Sequence, residues 1–143
     1  MTQEEKQVLF KDLCGRIPYH VRVKVWLEDG DTEEGPLDLQ HNYGDVLLDA
    51  FYYNKITKIK PYLRPMSSMT EEEFEFLQEH LPYDFTRIYS GKFDLFNDIH
   101  LGNSVSIDDI AFLLDCLNRW CLDYRGLIPM GLALEAPKNM YND

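Results

Sequence analysis

The sequence predicts an α+β fold: an N-terminal helix, a bent antiparallel sheet or small open barrel, two further helices and an ordered C-terminal tail. Three observations predict it. Residues 20–28, "HVRVKVWLE", alternate apolar and polar, which is the period of a half-buried strand. Thr2–Glu5 and Thr70–Glu73 both have the capping-box spacing that opens helices. Residues 107–124 carry apolar side chains at helical spacing, over a face broad enough to pack on a sheet or between two layers. At 143 residues the chain fits a single domain, 1–143. Within it, 1–64 reads as a helix plus a meander. Residues 65–143 read as an acidic helix, a hairpin, a long helix and a structural tail.

The first helix runs from the capping box to about Cys14. Leu9, Leu13 and Ile17 form its stripe, with Phe10 and Cys14 beside it. Gly15 reads as a stop, and Pro18 forbids continuation. In the strand that follows, Val21, Val23, Val25 and Leu27 point one way and Arg22, Lys24, Trp26 and Glu28 the other. "DGDTEEG" reads as a turn or short loop. Weaker strands are expected at 36–41 ("PLDLQH"), 45–53 ("DVLLDAFYY") and 55–61 ("KITKIKP"). "YLRPMSS" is an extended connector, since Pro65 holds Arg64 out of the helical region.

Thr70 then caps a second helix. Met69 and Phe74 stand where a hydrophobic staple would, and Phe74, Leu77 and Leu81 face inward. Residues 85–96 read as a β-hairpin turning at Ser90-Gly91. Ser106 caps the longest helix, with Asp108 and Asp109 in its first turn. Its stripe is Ile107, Ile110, Leu114, Leu117, Cys121 and Tyr124, widened by Leu113, Cys116 and Trp120. Gly126 fits a left-handed close to that helix. The tail, "LIPMGLALEAP", is too apolar to stay in water and is expected to fold back onto the core, with Asp123, Arg125 and Glu135 as a local ion pair.

Charge narrows the function classes. The net charge is −11, and it is uneven: nine Lys/Arg face eleven Asp/Glu in 1–64, but five face fourteen in 65–143. That balance disfavours non-specific contact with nucleic acid or an anionic membrane. No apolar run is long enough to span a bilayer, and the N-terminus lacks the marks of a secretory signal, so a cytoplasmic protein is expected. Three cysteines argue against a disulfide framework. Cys116 and Cys121 lie roughly 140° apart around a helix, too far to share a metal.

The stretches "IKPYLRPMSSMTEEE" (59–73) and "DYRGLIPMGLALEAPKNMY" (123–141) resemble a family of small, largely uncharacterised proteins of Bacteroidales bacteria and their phages and mobile elements. In that family the segment before the tail reads "DWLNxHHxDYRGLI". Here "CLNRWCLDYRGLI" has Arg119 and Trp120 or their neighbours in place of the two histidines. The specific motifs cover about a quarter of the chain. The resemblance implies cytoplasmic expression and a phage or prophage origin, and it implies no activity.

Motifs of catalysis are missing. There is no nucleophile elbow, no phosphate-binding glycine loop and no close histidine pair, so no cofactor or metal is expected. The leading expectation is a non-enzymatic accessory or protein-interaction protein, acting through a protein partner or self-association. Trp26, Tyr52, Tyr53 and Tyr62 are its candidate contacts, because aromatics outside a core often anchor partners. Whether Trp26 is exposed or covered by the helix or tail is left open. A first alternative is an acidic mimic of DNA using Glu71, Glu72 and Glu73. A second is a single-strand binder using Lys55–Arg64, where Lys55, Lys58, Lys60 and Arg64 accompany Tyr62.

Overall fold

The structure is a computed structural model that describes residues 1–37, 43–81 and 107–141. Among these residues it holds four α-helices and one open, four-stranded mixed sheet. The chain forms two compact units: residues 1–63 with 125–143, and the intervening 64–124.

The first unit opens with α1 (Gln3–Arg16). Thr2 Oγ1 accepts from the Glu5 N–H at 3.1 Å, and the Glu5 carboxylate accepts from the Thr2 N–H at 3.0 Å. Leu9, Leu13 and Ile17 are buried, as their stripe requires. Gly15 does not end the helix. The chain instead tightens after Arg16 into a 3-10 turn, Ile17–Tyr19, where Pro18 lacks only an N–H that a first turn leaves unpaired anyway. His20, at φ 59°, then redirects the backbone. Phe10 and Cys14 are exposed, and the polar Asp12 and Arg16 take buried positions beside the stripe.

β1 (Arg22–Leu27) is the expected alternating strand. β2 (Thr32–Pro36) pairs antiparallel with it, across residues read as loop from their acidity and glycine. Its place in the sheet comes from backbone bonds to β1 rather than from apolar side chains. Most of the strand expected at 36–41 lies outside the described residues. Residues 43–51 correct a second expectation: they form α2 (Tyr43–Phe51), not a strand. Val46 and Ala50, like Leu47 and Phe51, are four apart, so the short apolar run fits a helix as well as a strand.

β3 (Ile56–Leu63) pairs antiparallel with the other side of β1, and a bulge interrupts the register between Trp26 and Leu27. β4 (Leu134–Glu135) joins β3 in parallel, giving the order β2-β1-β3-β4. The sheet is therefore mixed and open rather than wholly antiparallel. The tail supplies more than β4. Leu127, Leu132 and Ala133 are buried, and the Tyr141 hydroxyl accepts from Arg22 N–H at 2.9 Å and donates to Tyr62 C=O at 2.7 Å. That hydroxyl extends the β1–β3 ladder one step past Pro61, which has no N–H to give.

The second unit contains a 3-10 turn at Met66–Ser68, α3 (Glu71–His80) and α4 (Ile107–Arg119). Met69, Leu77, Leu81, Leu113, Cys116, Leu117 and Leu122 form its apolar centre, with Phe74 against it. Burial raises the Cys116 pKa and keeps that thiol neutral. The buried face of α4 centres on Leu113, Cys116 and Leu117, whereas Ile107, expected in the stripe, is exposed. Cys121, not Gly126, closes the helix. It takes φ 55°, its N–H donates to Asn118 C=O, and Leu122 N–H donates to Leu117 C=O at 3.0 Å. The hairpin expected at 85–96 and the Ser106 cap lie outside the described residues. Among the described residues no helix is long and apolar enough to cross a membrane.

Candidate binding surface on the open face of the sheet

Side chains that pair across antiparallel strands share a face. Trp26 pairs with Lys58 on β3 and with Thr32 on β2, and Lys24 pairs with Lys60 and Glu34. The alternation of β1 therefore sorts the sheet into two chemistries. Val21, Val23, Val25 and Ile59 are buried on one side. Arg22, Lys24, Trp26, Lys58, Lys60 and Tyr62 lie on the other, half-exposed or exposed.

Trp26 is the centre of that second face. Lys58 Nζ lies 4.9 Å from its ring centroid and Lys24 Nζ lies 5.3 Å away. Ammonium groups at this range are drawn to the indole's electron-rich face, by about 0.5–1 kcal/mol at exposed sites. Toward the other end, the Tyr62 hydroxyl reaches over β1 and donates to Glu34 Oε1 at 2.6 Å, and Lys24 Nζ lies 3.8 Å from the same oxygen. The bond to Glu34 raises the Tyr62 pKa, because ionising the phenol would place two negative charges together. Among the described residues, the strand register thus places four cationic side chains and one carboxylate on this face, in a chain of net charge −11.

Two candidates that were separate in the sequence, Trp26 and the Lys55–Arg64 segment, meet here through the β1–β3 register. Lys58, Lys60 and Tyr62 join the face. Arg64 does not: it lies in the second unit and has a structural task. Its Nη1 and Nη2 donate to the Glu73 carboxylate at 2.9 and 2.8 Å, Nη1 also donates to Trp120 C=O at 3.2 Å, and Nη2 to Ser68 C=O at 2.9 Å. Glu73 meanwhile completes the α3 capping box, accepting from the Thr70 N–H at 2.9 Å. Burial raises the Glu73 pKa, but the bonds from Arg64 and Thr70 outweigh it, and the carboxyl ends below its ordinary range. Glu71 and Glu72 are exposed. The three-glutamate cluster is therefore two solvent-facing acids and one committed to an ion pair.

Tyr52 and Tyr53 follow α2 at the junction with β3. They are 73% and 56% exposed and meet edge to face at 5.0 Å, with Lys55 Nζ 6.0 Å from the Tyr53 ring. In the second unit His80 ends α3, and its ring lies 4.2 Å from that of Phe76.

A buried ionic node escaped the sequence reading. Asp12 and Arg16 are both fully buried on α1. Arg16 Nε and Nη2 donate to the two Asp12 oxygens at 2.8 and 3.0 Å, and Arg125 Nη1 from the tail donates to Asp12 Oδ1 at 2.9 Å. The i, i+4 spacing of Asp12 and Arg16 was legible. Their burial, and a third partner 113 residues away, were not. Among the described residues no three His, Cys, Asp or Glu side chains gather as a metal ion would need. No protein-family model matches this chain, and neither a curated protein nor a solved structure does.

Proposed function

We propose that this protein is a non-enzymatic binding module and that the open face of its sheet is the contact surface. The observation that carries the reading is the Trp26 ring flanked by Lys24 and Lys58 on a solvent-facing sheet. A large aromatic left outside the apolar interior is available to anchor a ligand, and surrounding cations steer an anionic one. The exposed Tyr52–Tyr53 pair is a second available contact on the same unit. The resemblance of 59–73 and 123–141 to small proteins of Bacteroidales bacteria and their phages and mobile elements agrees with an accessory protein that acts by binding. The acidic-mimic reading has less support, since Glu73 is bound to Arg64.

The test is affinity capture from host extract, under nuclease and without it, with the intact protein, Trp26→Ala, and Lys24→Glu with Lys58→Glu. The expected result is one defined ligand that both variants lose while the thermal transition is kept. Capture of the same ligand by both variants removes the open face from the reading.

A further inference from the structure

We infer that the ligand of the open face is single-stranded nucleic acid, with a base stacked on Trp26 and the backbone phosphates held by Lys24, Lys58 and Lys60. The inference rests on the binding-module reading and names its ligand.

The chemistry of the face selects this class. An acidic peptide would use the cations and leave the indole idle. An apolar partner would use the indole and strand the cations. A single strand uses both, because each nucleotide presents a π-face for stacking and, next to it, a phosphate for a cation. Lys24 and Lys58 lie over the ring at about 5 Å from its centroid, so a base that stacks there displaces their ammonium groups onto its neighbouring phosphates. Side chains two apart on a strand are about 7 Å apart on one face. Arg22 and Lys24 on β1, beside Lys58 and Lys60 on β3, thus form two parallel rows along which an extended chain can lie. A duplex keeps its base faces inside the stack, so none is free to lie on the indole.

The −11 net charge opposes the encounter, so binding is weak and falls steeply with salt. Twelve of the 25 carboxylates lie in residues 64–124, and among the described residues only Glu34 is placed by register among the cations of the face.

The experiment is anisotropy and tryptophan emission of the full chain titrated with a short labelled oligothymidylate over a series of salt concentrations. Binding with quenched emission is expected at low salt. Each phosphate contact on a single strand adds about 0.7 to the slope of log affinity against log salt, so the three lysines give a slope near −2. Changing Lys24 and Lys58 to Gln should reduce its magnitude by about 1.4. Trp26→Leu should weaken binding roughly tenfold, the scale of one lost base stack. The lysine variants leave the apolar interior untouched and carry the test alone if Trp26→Leu does not fold.

Absence of binding at low salt overturns the assignment. So does binding that both sets of variants leave unchanged, or displacement by poly-glutamate as effective as by unlabelled oligothymidylate. If the oligonucleotide fails while Trp26→Ala and the paired Lys24→Glu and Lys58→Glu changes still abolish capture of a protein, the ligand class falls and the binding-module reading stands. If the variants affect neither, both fall.

Discussion

The two units each tie distant segments to a single charged side chain, but they invert its sign and its depth. In the first unit a carboxylate is the hub: Asp12, fully buried, holds Arg16 from its own helix and Arg125 from the tail. In the second a guanidinium is the hub. Arg64, 19% exposed, holds Glu73 from the start of α3 and two backbone carbonyls, at Ser68 and Trp120. Paired charges that deep lose most of their hydration and depend on each other's presence. A hub nearer water that bonds to carbonyls depends more on geometry and less on charge. Removing charge should therefore damage the first unit more than the second.

The strongest challenge to that contrast is deletion of residues 126–143. It removes β4, three buried side chains and the Tyr141 bridge. Hydrogen exchange should show β1 and β3 losing protection while Leu77 and Leu117 in the second unit keep theirs. Equal loss in both would mean the units do not stand apart in stability.

Next in size is Asp12→Ala, which leaves two guanidinium groups without the carboxylate they share. Urea unfolding should show a loss of about 3–5 kcal/mol. A loss under 1 kcal/mol would show that the node is not a hub.

Glu73→Gln comes third, at about 2 kcal/mol, because the amide keeps part of the cap and loses the ion pair. The same carboxyl sets a pH dependence. Its folded pKa lies below the unfolded value, so its contribution is complete above the unfolded pKa of about 4.3 and disappears as pH falls through the lower folded one. Acid titration followed at the α3 amides should reveal that loss in the wild type and not in Glu73→Gln.

The smallest expected effect is Trp26→Ala, about 1 kcal/mol or less from lost cation–π contact and partial burial. Since it is also the change that should abolish ligand capture, it separates what the open face contributes to binding from what the two hubs contribute to folding.

The sequence made the local elements legible where a signal repeats within a few residues. The capping boxes at Thr2 and Thr70 and the alternation over Val21–Leu27 all formed as read. It misled where one short run satisfies two periods, as at Val46–Phe51. It was silent where position depends on strand pairing and not on an apolar period, as in β2, whose acidic residues and Pro36 are suited to an edge. The candidate surface was legible only in pieces. Trp26 and Lys58 are each conspicuous, but nothing within one sequence states that they are cross-strand neighbours, because a slip of one residue in register would turn one of them to the buried side.

The parallel pairing of β3 with β4 has a consequence in time. Residues 64–133 lie between the two strands, so a ribosome completes the second unit before the last strand of the first exists. Until then β3 has an open edge at Tyr62 and Leu63, and Asp12 and Arg16 await their partner from the tail. Folding of the nascent chain is thereby ordered: the inserted unit can settle early, and the unit that holds β1 and β3 is sealed later, once the segment carrying β4 has been made.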